Sequence, residues 1–155
     1  MGASEYFALQ GFIGNRVPRV EPKRAKSLYE ALRQAISKGW VASCHDCSDG
    51  GLGVALAETA FAGALGLEVD LRKVPATEID RDDFLLFSES ASRFVVTIRP
   101  EDKKVFETCL QGNVFAEVGK VTSGKDFKVH GLKKEVVIQA NILDLKEAWK
   151  RPLQF

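Results

Sequence analysis

From Gly51 to Leu65 the sequence runs GLGVALAETAFAGAL, in which Glu58 and Thr59 are the chief residues that are neither small nor apolar. Read as a helix, that run has no polar face to offer water, so it is buried in a core or covered by a partner. A neighbouring domain is one such cover, and a second copy of the chain, giving a homo-oligomer, is another.

The flanking patterns supply much of the cover. From Pro22 to Gly39, Ala25, Leu28, Leu32, Ala35 and Ile36 recur at helical spacing, and Gly39 is the expected stop. Strands are expected at 40–46, 65–71 and 93–98, then a run of short strands at 115–122, 126–131 and 135–139. Helices are expected at 101–110 and 142–150, and residues 72–92 read as a connection. The opening 22 residues carry glycines, prolines and no sustained period, so they read as an entering arm or linker, with 23–155 as a single domain. This order describes an α+β fold, a mixed β-sheet flanked by α-helices.

Composition narrows the function classes. Hydrophobic residues make up 45% of the chain and its formal net charge is +1, which points to no nucleic-acid partner. No apolar run reaches the roughly 18 residues of a membrane span, and the N-terminus lacks a signal-peptide plan, so the expectation is no membrane and a cytoplasmic location. Three cysteines, an odd number, read as reduced thiols.

Chemistry concentrates in SCHDCSDGGLG, residues 43–53. Cys44 and Cys47 form a C-x-x-C, which with Cys109, His45 or His130 offers a zinc or redox reading. A structural zinc site wants two close pairs and only one exists here, and Cys44 falls inside a strand rather than at a helix start. The other reading is a phosphate loop. Ser48, Asp49, Gly50 and Gly51 lie between strand and helix, where helix amides are unpaired and glycines give the backbone freedom. Ser48 or Asp49 is the expected helix cap. Asp46 and Asp49 would repel a bare phosphate, so this reading needs a hard cation such as Mg2+ beside the carboxylates. A capped helix with glycines for close packing accounts for the same letters.

A second cluster, FSESASRF at 87–94, brings Glu89, Ser90 and Arg93 to a strand entrance. Hydroxyls and a carboxylate there suit sugar or phosphate oxygens, and the Arg93 fork suits a carboxylate or phosphate. A serine-rich turn with a solvated arginine accounts for it equally well. His130 reads as structural, and two histidines leave no catalytic triad to argue.

Taken together, SCHDCSDGGLGVALAETAFAG and LFSESASRFVVTI closely resemble the C-terminal domain of the phosphoribosylformylglycinamidine synthase family, in the aminoimidazole ribonucleotide synthetase-like superfamily. ASEY at 3–6, VPRV at 17–20 and EAW at 147–149 fit the same pattern. The resemblance implies the C-terminal-domain fold of that superfamily and a parent ligase that uses ATP and glutamine-derived ammonia to convert formylglycinamide ribonucleotide to formylglycinamidine ribonucleotide. It further implies ATP/ADP and Mg2+ as cofactors, and as partners the remaining domains or subunits and a glutaminase. Carried over by position, Asp46 would face metal, and Glu89 and Ser90 would face ligand. Ala91 stands where the first repeat of the family has a glutamine, a departure that suits a degenerate site with a structural nucleotide. No catalytic residue is assigned in this chain, which is expected to be inactive alone. Three rivals remain open at this point: aminoimidazole ribonucleotide synthetase, a thiol or zinc module, and a non-catalytic interaction module.

Overall fold

The computed structural model describes residues 1–153. In order, it contains α1 (Glu5–Leu9), α2 (Pro22–Ser37), β1 (Ser43–Asp46), α3 (Gly51–Gly63), β2 (Gly66–Asp70), α4 (Asp82–Phe87), β3 (Phe94–Thr97), α5 (Lys103–Cys109), β4 (Gly119–Thr122), β5 (Asp126–His130), β6 (Val136–Asn141) and α6 (Ile142–Lys150). The α+β class expected from the sequence is the one found.

The strands divide between two sheets. β1 and β3 form an antiparallel pair of their own, and the larger sheet runs β4-β2-β5-β6. In the larger sheet β2 pairs antiparallel with β4 and parallel with β5, and β5 pairs antiparallel with β6. Strands this short, rich in β-branched residues and glycine-flanked, need such neighbours for stability.

α3 meets the demand its composition makes. Leu52, Ala55, Leu56, Ala60 and Phe61 are buried with Leu67 and Val69 of β2, Phe127 and Val129 of β5, Leu85 and Leu86 of α4, and Ile142 of α6. The chain thus covers most of the helix itself, which removes this ground for expecting a second copy as cover. The helix ends two residues before the expected Leu65, because Ala64 adopts a left-handed φ of 53°.

A second, smaller core lies between α2 and α5, built on Leu32, Ala35, Phe106 and Leu110. β3 joins the two by its period-two alternation: Val95 enters the main core, whereas Phe94 and Val96 pack on the second. The two-stranded sheet is therefore fixed by packing on both of its faces.

Two short helices interrupt segments expected to lack them. α1 lies in the entering arm and α4 in the 72–92 connection. Both span under two turns, too short for a hydrophobic period to show. α4 opens on Asp82 and Asp83, acidic residues that favour a helix start, and ends in FLLF, whose Leu85 and Leu86 bury in the core.

Candidate functional site

The β1–β3 ladder sets the site. Its register places Asp46 opposite Phe94 and His45 opposite Val95. The two residues just past the ladder are joined as well, since Cys47 N–H donates to Arg93 O at 2.9 Å. The two chemistry-bearing stretches, separated by about 40 residues in sequence, thus run side by side.

The glycine loop closes on the second stretch. Gly50, at φ 77°, is the N-cap of α3 and no side chain caps the helix from that position. The expected cap, Ser48 or Asp49, is thereby corrected: a left-handed glycine turns the chain, the Ser48 carbonyl accepts from Gly51 N–H at 3.0 Å, and both side chains lie at the exposed surface. The carboxylate that serves the loop comes from elsewhere. Glu89 Oε1 accepts from Gly50 N–H at 2.9 Å, and also from Glu5 N–H at 2.9 Å. A carboxylate there complements the positive end of α3. Gly51, at φ 62°, is required by close approach, because a Cβ would run into the carbonyl oxygen of Ser88.

Arg93 is engaged rather than solvated. Its Nη1 donates to Ser88 O at 3.1 Å and to Ser88 Oγ at 3.0 Å, which holds the Ser88 turn in shape. Ser92, at φ 60°, is held by a 2.9 Å hydroxyl contact with Tyr29 of α2, whose ring meets Phe94 edge-on at 5.7 Å. Ser90 and Ala91 stand exposed at the tip of the turn.

The carboxylate of Asp46 is 64% exposed, with His45 Nδ1 at 3.7 Å. Among the described residues no three His, Cys, Asp or Glu side chains gather as a metal ion requires. This chain's own donors therefore do not fit a resident cation. The C-x-x-C pair is split, with Cys44 exposed and Cys47 buried. Burial pushes both thiols up, and Asp46 adds to the effect; for Cys47, Arg93 opposes it. A reactive thiolate or a zinc thiolate needs the opposite environment.

Sequence reasoning did not assign a second network at the site. His45 Nε2 and Glu58 Oε2 lie 2.6 Å apart, and Trp149 Nε1–H donates to Glu58 Oε1 at 2.7 Å. These three, with Cys44, Leu65 and Val121, line a largely apolar groove of about 690 Å³. The available signal was Glu58 itself, a carboxylate in an otherwise apolar helix, which must have partners if half-buried. The other such signal was Tyr6, in a stretch that carried the resemblance. Its hydroxyl donates to Asp83 at 2.9 Å and its ring stacks on Phe87 at 4.9 Å.

Chemically, the arrangement presents two abutting polar loops on a rigid ladder: an exposed carboxylate at Asp46, exposed hydroxyls at Ser48 and Ser90, and a braced arginine. It is built to shape a surface.

Comparison with known proteins agrees with this architecture. The PurL subunit of phosphoribosylformylglycinamidine synthase from Methanocaldococcus jannaschii is 39% identical over 153 residues, which cover 97% of this chain and 20% of that protein. The structure of Thermotoga maritima PurL complexed with FGAR matches at a TM-score of 0.73 and 26% identity, over 81% of this chain and 21% of the other. T. maritima PurL complexed with ATP matches at 0.68 and 26% identity, over 76% and 21%. The chain spans about a fifth of the length of these relatives. The family model described as AIR synthase related protein, C-terminal domain, matches residues 1–131, and the chain belongs to that family.

Proposed function

We propose that this chain is the C-terminal domain of a PurL-type phosphoribosylformylglycinamidine synthase, and that loops 46–51 and 88–93 form its face toward a nucleotide-bearing site shared with the other domains. The parent reaction is the ATP-dependent amidation of formylglycinamide ribonucleotide: ATP phosphorylates the amide oxygen, and glutamine-derived ammonia displaces the phosphate. The observation that carries this reading is the Cys47–Arg93 backbone bond. It joins the two stretches whose pairing marks the family, within a chain that aligns with PurL over nearly its whole length.

In this reading the domain is not catalytic by itself. It contributes Ser48, Asp49, Gly50 and Gly51 as a phosphate-side loop and Glu89, Ser90 and Arg93 as a braced turn. Glu89 and Arg93 act by fixing that turn, because both are occupied within the chain. Asp46 is the residue that would hold Mg2+, in company with nucleotide phosphates and groups from other domains, since among the described residues no group of three His, Cys, Asp or Glu side chains forms a complete set of ligands. ATP or ADP is the expected nucleotide, the remaining synthase domains and a glutaminase are the partners, and the cytoplasm is the place of work.

The test is replacement of the matching C-terminal segment of M. jannaschii PurL by this chain, assayed for ATP- and ammonia-dependent formation of formylglycinamidine ribonucleotide. Turnover by the chimera, and none by the isolated chain, is expected. A soluble, folded chimera without turnover overturns the reading.

A further inference from the structure

Residues 1–16 form a closed loop with its own internal ties. Gly2 N–H donates to Arg16 O at 2.9 Å and Ala3 N–H to Ile13 O at 2.6 Å. Ser4, only 2% exposed, caps α1 by accepting from Phe7 N–H at 3.3 Å. From the last residue of α1 onward the segment turns large residues to solvent, with Leu9 82% and Ile13 80% exposed.

Aromatic packing and hydrogen bonds hold this loop to the rest of the molecule. Tyr6 lies flat on Phe87, with ring centroids 4.9 Å apart and planes within 9°, and its hydroxyl donates to Asp83 Oδ2 at 2.9 Å. Phe7 meets Phe84 edge-on at 6.2 Å. All three partners are on α4, the helix that runs directly into Ser88 and Glu89. A further tie is the Glu89 carboxylate, one oxygen of which accepts from Glu5 N–H in the loop and from Gly50 N–H at the start of α3.

One acceptor thus serves two donors on segments 45 positions apart in sequence, Glu5 and Gly50. We propose that residues 1–16 are a strap latched over the glycine loop through Glu89, so that release of either segment loosens the other. Lifting the strap takes away the Tyr6 and Phe7 packing that fixes the end of α4, and with it the position from which Glu89 reaches Gly50. Freeing Gly50 removes one of the two donors that fix the Glu89 side chain in place, so the carboxylate is less firmly positioned for Glu5. Such coupling is reciprocal, because each segment biases the same side chain. The latch is a property of this chain alone and stands apart from whether the loop serves a nucleotide.

Amide hydrogen exchange on the full chain tests it. Tyr6→Ala, a substitution within the strap that removes its hold on α4, raises exchange at Gly50 as well as Glu5 by about tenfold, while Val129 in the central strand β5 is unchanged. Glu89→Ala raises exchange at Glu5 and Gly50 together, and Glu89→Gln, which keeps an accepting oxygen, restores most of the protection. Unchanged Gly50 exchange in Tyr6→Ala overturns the proposal. So does a rise at only one of the two amides in Glu89→Ala, and if that variant does not fold the Tyr6→Ala and Glu89→Gln measurements decide.

Discussion

Trp149 donates its indole Nε1–H to Glu58 Oε1 at 2.7 Å, which joins α6 to the middle of α3. The second oxygen of the same carboxylate lies 2.6 Å from His45 Nε2 on β1. The ring of Trp149 also packs on Phe61 at 5.7 Å. Glu58 is therefore the junction between the site's first strand and the last helix.

Glu58→Ala is expected to lower stability by about 1 kcal/mol, the usual worth of a partly buried hydrogen-bonded group. Trp149→Phe in the same background should then cost less than it does alone, because the shared partner is gone. Urea unfolding of the two single variants and the double variant measures this coupling. Additive losses would mean the carboxylate and the indole act independently.

Gly51→Ala and Gly112→Ala separate close approach from backbone strain. Both glycines sit at positive φ, 62° and 91°, but a Cβ at 51 would meet backbone atoms of Phe87 and Ser88, whereas one at 112 meets nothing within 4 Å. Gly112→Ala should cost about 1–2 kcal/mol from the left-handed backbone alone. Gly51→Ala should cost more, by displacing the Ser88 turn from the glycine loop. Equal losses in thermal unfolding would show that the turn yields freely.

The cysteines are expected to differ in reactivity. Cys44 is exposed and Cys47 is 8% exposed, while burial and the Asp46 charge keep both thiols above their ordinary values. At pH 7 a thiol reagent should modify Cys44 before Cys47, and both more slowly than free cysteine. Peptide mapping after timed alkylation gives the order. A Cys47 that reacts first contradicts the burial.

Acid should remove one defined contribution to stability. The Arg72 side chain, donating to both oxygens of Asp70, and then its backbone amide hold the Asp70 carboxyl at about 2, below its ordinary 3.8. The folded chain binds that proton less readily than the unfolded chain, so the contribution is full above about pH 4 and is lost as pH falls through about 2. Arg72→Gln should flatten the stability profile across that window. An unchanged slope in acid titration of the variant would falsify this assignment.

The elements that formed the sequence reading were those long enough to show a period. α2, α3 and α6 follow 3.6-residue patterns or continuous apolarity, and the apolar alternation at 65–71 and the β-branched run at 93–98 mark β2 and β3. α1 and α4, of five and six residues, fall below that length. Long-range pairings were invisible for a different reason. Nothing in the letters near Gly50 says that its amide is taken by a carboxylate 39 positions later, or that Glu5 shares it from 84 positions away. Arg93 was legible as a planar fork, but its partner proved to be the Ser88 turn five residues back. Asp46 ends β1, as the strand expected at 40–46 has it, and its side chain is exposed.

The division into two sheets has a consequence for how such a domain can diversify. The site rests on a ladder of four residue pairs that shares no hydrogen-bonded strand with the β4-β2-β5-β6 sheet. Substitutions around 46–51 and 88–93 can therefore change charge, size or partner without shifting the register of the sheet that carries the main core. A duplicated copy of this fold is free to lose or acquire a ligand at its variable edge while inheriting an unaltered frame.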